Sequence, residues 1–258
     1  MARGIAAPCL ERANFERPEL CSALSREYVD AGAELVRTNT FQANSVALSD
    51  HGLERTTEAL NRAAVRLARE GAGKRAHVLG SIGPVGMRWR SPAIEPERAR
   101  DAYAEQALAL AAEGADALVL ETLLDPDEAA LALDTLARHV AIPFGVTMSF
   151  VGELAEPAAQ EVAQLWLRVA EGHGASFYGA NCGPGLGGMA RLADALLTTR
   201  LPVWIAPSAG GPGTPRATPE AFAELGEKLW RRGVSFFGGC CGTDPRFIHA
   251  LASRRARG

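Results

Sequence analysis

Lysine is almost missing from this chain: Lys74 and Lys228 are the only two in 258 residues. Neither closes a strand-like run, which disfavours a Schiff-base aldolase, whose lysine belongs at a strand end. No run of 18 apolar residues occurs, so no membrane span is indicated. The N-terminus has no apolar core segment of the signal-peptide kind. A net charge of -3 and a pI near 6.0 give no case for nucleic acid or an anionic membrane as partner. The five histidines (His51, His77, His139, His173 and His249) are scattered without metal-ligand spacing. Cysteine is sparse too, at five residues. With no secretion signal, these point to a reducing cytoplasm, where clustered thiols serve as metal ligands or catalytic groups more often than as disulfides.

Strand-like and helix-like segments alternate along nearly the whole sequence. Apolar, strand-like runs cover 34–41, 77–81, 116–122, 143–150, 176–182, 202–207 and 234–239. Helical patterns cover about 18–31, 53–70, 97–113, 158–171 and 189–197. Asp125-Pro126, Thr218-Pro219 and Asp244-Pro245 open three more, each a capping residue followed by proline at the first helical position. Such alternation with short connections means a parallel sheet with helical crossovers. The length suits one domain, 1–258, folded as an α/β barrel of the (β/α)8 TIM type. The count is uneven, at eight helices and seven strands. The expected barrel therefore lacks, or is truncated at, its first strand, because residues 1–10 are short and broken by glycine and proline.

In such barrels the site lies at the C-terminal ends of the strands. Three cysteines fall there: Cys182 in Gly179-Ala180-Asn181-Cys182-Gly183, and the pair Cys240-Cys241 in Gly238-Gly239-Cys240-Cys241-Gly242-Thr243. Neighbouring side chains on a regular strand point to opposite faces. Two adjacent cysteines address one ligand only where the pleat breaks, and flanking glycines permit that break. Three thiolates suit zinc, with a fourth position open. Against a +2 ion they leave the site anionic, a poor setting for polarising carbonyls and a good one for holding a fourth sulfur deprotonated. Cys9 and Cys21 lie away from the strand ends and read as ordinary packing residues.

These stretches, with Thr38-Asn39-Thr40-Phe41, Gly80-Ser81-Ile82-Gly83-Pro84 and Glu121-Thr122, resemble the homocysteine S-methyltransferase family. That family takes in the homocysteine-binding domain of cobalamin-dependent methionine synthase and the betaine- and S-methylmethionine-dependent enzymes. The resemblance covers nearly the whole chain. It implies zinc on Cys182, Cys240 and Cys241, with the homocysteine sulfur as fourth ligand. It implies that Glu121 takes the homocysteine ammonium group, for which a salt bridge to a nearby arginine is the plain alternative. Asn181 and Ser208 are further substrate-side candidates. Two departures stand out. The family's first strand, with its Asp-Gly turn that helps hold homocysteine, has no counterpart here. Ser208 stands where many members carry asparagine.

The expected reaction is attack of homocysteine thiolate on an activated methyl group, giving methionine. The donor is a small molecule or a separate corrinoid protein, since no cobalamin or folate module is present. Phe150, Tyr178 and Trp204 are candidates to face a cationic donor, with core packing as their ordinary role. Two other readings remain open. One is a zinc-binding barrel without turnover. The other is a phosphate-binding barrel using Gly210-Gly211 and Gly238-Gly239.

Overall fold

Among the described residues seven strands lie side by side in chain order, each parallel to the next, and β1 and β7 at the two ends do not pair, so the sheet curls without closing. This computed structural model describes residues 9–86, 89, 94–150, 155–183, 185–211 and 216–255. The elements are α1 (Ala13–Glu16), α2 (Pro18–Asp30), β1 (Leu35–Arg37), α3 (Ser45–Ser49), α4 (Thr57–Ala72), β2 (His77–Ile82), α5 (Pro96–Ala112), β3 (Ala117–Leu123) and α6 (Pro126–His139). They continue with β4 (Phe144–Met148), α7 (Glu156–Gly172), β5 (Phe177–Cys182), α8 (Gly185–Leu196), β6 (Val203–Pro207), α9 (Pro219–Arg231), β7 (Phe236–Phe237) and α10 (Pro245–Arg255). The expected eight long helices and seven strands are present among the described residues, with the short α1 and α3 in addition. Residues 1–8, where a first strand was not expected, lie outside the described residues. No helix among the described residues is long and apolar enough to cross a membrane.

Helix starts follow the capping chemistry. Asp125 accepts hydrogen bonds from the backbone of Asp127 (2.9 Å) and Glu128 (3.3 Å) at the start of α6. Thr218 accepts from Ala221 at 3.2 Å at the start of α9. In both helices proline occupies the first turn, where its missing N–H costs nothing. The five-residue α3 starts on Asn44, which accepts from Ala47 at 2.8 Å.

The central strands read as unbroken apolar runs because both faces are covered. Outward residues such as Leu118, Leu120 and Val146 are fully buried against the helices, and each is worth about 1.5–3 kcal/mol relative to exposure. Inward, Leu79, Val119, Phe177, Trp204 and Ala206 form a smaller cluster, with Phe177 and Trp204 stacked at 5.8 Å. Trp204 belongs to that cluster, while the buried Tyr178 sends its hydroxyl to the carbonyl of Leu196. Both do packing work, and the half-buried Phe150 packs against the main core.

β1 and β7 fall furthest short of the sequence pattern. β1 stops at Arg37 because the Thr38 hydroxyl, not a backbone carbonyl, accepts the N–H of Ser81 at 3.0 Å. β7 has two residues, yet its pairing partner persists beyond it: Gly238 and Cys240 donate to Ile205 and Pro207, both at 3.1 Å. The loop after β7 therefore stays docked to β6. Between the free edges of β1 and β7 the joins are side-chain or loop contacts. Tyr28 reaches the Thr243 carbonyl at 3.3 Å and Arg255 reaches Glu34 at 2.5 Å.

Candidate active site

The end of β6 is the template for the three cysteines. Ser208 donates its N–H to the carbonyl of Cys182 at 3.1 Å, which fixes the last residue of β5 on one side. On the other side Pro207 accepts from Cys240, and Ala209 donates to the Cys241 carbonyl at 2.8 Å. Cys241 and Gly242 then turn away from the strand direction. Gly242 has φ +78°, and a side chain there would run into the carbonyl of Gly210. The Thr243 hydroxyl closes the turn on the Cys240 carbonyl at 2.7 Å.

The outcome is that Cys182, Cys240 and Cys241 bring their sulfurs within 4.8 Å of one another. The Sγ atoms of Cys182 and Cys241 are 3.4 Å apart. Cys240 is held far below the usual thiol range by the Cys182 and Cys241 thiols, then by the guanidinium of Arg37 and the Asn181 amide. These neighbours thus favour the charged form of Cys240. Cys240 and then Cys241, with burial adding to them, push Cys182 well up. A clustered, partly exposed set of three sulfurs is a donor set for a soft or borderline metal ion. Cys9 and Cys21 take no part: burial raises both, and Cys9 points at Glu11.

Asn181 is 1% exposed and uses every part of its amide. Its oxygen accepts from the Thr122 N–H (2.8 Å) and the Thr147 hydroxyl (2.7 Å). Its nitrogen donates to the Thr122 hydroxyl (2.7 Å) and to the sulfur of Cys240 (3.5 Å). Thr122 and Cys182 are the two non-glycine residues with positive φ among those described, at 64° and 60°. For a β-branched residue that backbone is a true outlier, costing about 1–2 kcal/mol. Asn181 joins the two strand ends where this strain sits.

Beside the sulfurs Glu121 forms the arginine salt bridge that was its plain alternative role, and the arginine, Arg37, is one the sequence did not single out. Arg37, at the end of β1, donates from Nη1 to Glu121 Oε2 and from Nη2 to the Gly239 carbonyl at 2.9 Å. The Ser81 hydroxyl donates to Glu121 Oε1 at 2.5 Å. Glu121 raises the pKa of Arg37 above its ordinary value, with Cys240 adding to the effect. Ser81 is itself fixed by a buried hydroxyl chain. Thr38 donates to Thr40 at 2.5 Å, and Thr40 donates to the Ser81 carbonyl at 2.6 Å. The sequence signal for Arg37 is slender: one cation at the mouth end of an otherwise apolar strand.

Ser208 sits on the loop and faces backbone, donating to the Cys241 carbonyl (3.2 Å) and accepting from Gly210 (3.1 Å). The glycines read as a phosphate cradle are likewise engaged in shaping the cysteine turn, Gly210 against Gly242 and Gly239 beneath Arg37. A cleft of about 2380 Å³ opens along the gap between β1 and β7. Arg37, Ser81, Glu121 and all three clustered cysteines line it.

The sequence pattern of the family described as homocysteine S-methyltransferase matches residues 4–255. The chain is 33% identical over 270 residues to a methionine synthase of Mycobacterium leprae (strain TN), covering 96% of this chain and 22% of that protein. It is 32% identical over 266 residues to the methionine synthase of Mycobacterium tuberculosis (strain ATCC 25618 / H37Rv), covering 95% and 22%. The chain therefore spans about a fifth of the length of these relatives. Among solved structures, the homocysteine methyltransferase MmuM from Escherichia coli shares the fold. Its metallated form has a TM-score of 0.80 at 24% identity, with 98% of this chain and 90% of that chain covered. Its oxidised form gives 0.78 at 25% identity over the same shares. With the fold, the three-cysteine mouth and this match over nearly its full length, the chain belongs to the homocysteine S-methyltransferase family.

Proposed function

We propose that this chain is a zinc-dependent homocysteine S-methyltransferase domain extending over 1–258 and working in the cytoplasm. The observation that carries the reading is the convergence of three sulfurs from two strand ends at an open cleft. Cys182, Cys240 and Cys241 are the residues that would hold zinc, and the ion would keep a fourth sulfur deprotonated at neutral pH. The relatives named methionine synthase and homocysteine methyltransferase support homocysteine as the acceptor.

The protein's own part is to align. Backbone bonds from the β6 end set the positions of Cys182, Cys240 and Cys241, and Asn181 steadies Cys240. Glu121 offers a carboxylate to the substrate ammonium. The homocysteine sulfur attacks a methyl carbon in line, forming S–CH3 as the bond from carbon to its leaving group breaks. The leaving group keeps the electron pair, and the thiol proton passes to solvent. A sulfonium, a quaternary ammonium or a corrinoid cobalt meets the need for a good leaving group, the last brought by a separate protein.

The test is methionine formation by the zinc-loaded protein with homocysteine and each donor class in turn. Methionine from at least one donor is the expected result. Tight zinc binding with no methionine from any of the three would overturn the enzyme reading in favour of a zinc-binding barrel without turnover.

A further inference from the structure

Glu121 meets any substrate with its charge already neutralised. One carboxylate oxygen receives the Ser81 hydroxyl and the other the Arg37 guanidinium. A free amine drawn to this carboxylate would face an arginine already in place. An α-amino acid is different, because its ammonium and carboxylate hang from one carbon. It is able to enter an existing ion pair, giving its ammonium to the anion and its carboxylate to the cation, and the net charge of the site does not change.

Arg37 has the capacity for this. Its side chain is 30% exposed, against 8% for Glu121, and it lines the cleft with the clustered cysteines. Guanidinium has five N–H donors in a flat fork suited to carboxylate. Among the described residues, the bonds to Glu121 and Gly239 use two of them. Gly239 immediately precedes Cys240, so Arg37 stands at the edge of the sulfur cluster. A thiol amino acid with its sulfur among the cysteines has its α-carbon two methylenes away, in the cleft that the pair also lines.

We infer that Arg37 is a substrate-binding and specificity residue that takes the α-carboxylate of the amino-acid thiol, with Glu121 as its counterpart for the ammonium. This rests on the homocysteine reading above and adds to it the group that recognises the acid end. The site would then select a zwitterion, rejecting thiols that bear one charge.

The test is calorimetric titration of the zinc-loaded protein with three thiols. These are homocysteine, 3-mercaptopropylamine (no carboxylate) and 4-mercaptobutyrate (no ammonium). The wild-type protein is expected to prefer homocysteine over each of the others by about 10–150-fold, the worth of one charge-assisted hydrogen bond. Arg37→Met should bring the homocysteine to 3-mercaptopropylamine ratio close to one while leaving 3-mercaptopropylamine itself bound within a few-fold of wild type. Arg37→Lys should restore part of the preference. Glu121→Gln should collapse the ratio against 4-mercaptobutyrate instead. An equal loss for all three thiols in Arg37→Met, or no change in any, would overturn the assignment and leave Arg37 as a tie between β1 and the cysteine loop. If no thiol binds the wild-type zinc protein, the homocysteine reading itself falls.

Discussion

Asn181 and Thr122 exchange two hydrogen bonds, amide oxygen to backbone N–H at 2.8 Å and amide nitrogen to hydroxyl at 2.7 Å. The same amide nitrogen reaches Cys240 at 3.5 Å. A residue that is 1% exposed and fully paired therefore links a strained strand end to a sulfur. Asn181→Ala should leave the part-buried Thr122 N–H without its partner, at about 1–3 kcal/mol of stability. It should also weaken zinc binding about 10–100-fold, as loss of a supporting partner does. Denaturant unfolding and chelator competition measure the two effects, and unchanged zinc affinity would show that the Cys240 contact is incidental.

Alanine at Cys182, Cys240 or Cys241 should each remove the zinc measured after dialysis. Alanine at Cys9 or Cys21 should leave it at the wild-type level, since neither sulfur belongs to the cluster. Metal analysis of the five purified variants settles the ligand set. Retention of full zinc by Cys240→Ala or Cys241→Ala would contradict it.

Gly242→Ala tests the turn rather than the ligands. The residue has φ +78° and its backbone lies against the Gly210 carbonyl. The left-handed backbone alone costs about 1–2 kcal/mol, or roughly 2–8 °C in Tm for a chain of this size. The added methyl also has to move Gly210, and with it the strand-end loop that holds Cys241. A lower Tm together with weakened zinc binding is expected. A variant that melts and binds like wild type would mean that the turn is slack.

Glu128 gives a pH prediction. It is 3% exposed and accepts from Tyr103 and from the Val85 N–H, both at 2.8 Å, pinning the loop after β2. Burial raises its pKa above the usual carboxylate range, with Asp125 adding to the rise. A raised pKa favours the protonated carboxyl in the folded state. Its contribution is complete below the unfolded pKa of about 4.3 and is lost as pH climbs through the folded value. Glu128→Gln keeps the accepting oxygen and cannot ionise. Measured from pH 4 to 8, its Tm relative to wild type should therefore improve as pH rises above about 4.3 and level off once the folded value is passed. Parallel melting curves across that range, or a relative gain at acid pH, would overturn this account.

The cysteine cluster was legible because adjacent cysteines between glycines have few other uses at a strand end. The helix starts at Asp125 and Thr218 were legible because caps are local, read from side chain to backbone within three residues. Arg37 was not, because its partner lies 84 residues away and arginine is common on the outer helices. Glu121 was visible only as a carboxylate at a mouth, with ion pair and substrate ligand equally open. The five-residue α3 escaped because it is too short to establish a period. The lengths of β1 and β7 were overestimated because hydroxyls and glycines, not apolar pattern, decide where the ladder stops.

The sheet that does not meet itself has a mechanical consequence. Every other pair of neighbouring strands is joined by a backbone ladder, whereas β1 and β7 are fastened across their gap by Arg37 on Gly239, Tyr28 on Thr243 and Arg255 on Glu34. Two of those three fastenings end in the cysteine turn. The clasp of the hoop and the chemistry of the cleft are therefore the same few residues. A ligand seated on Arg37 or the cysteine turn would also touch these fastenings, so its occupancy should be felt as rigidity in β1 and β7.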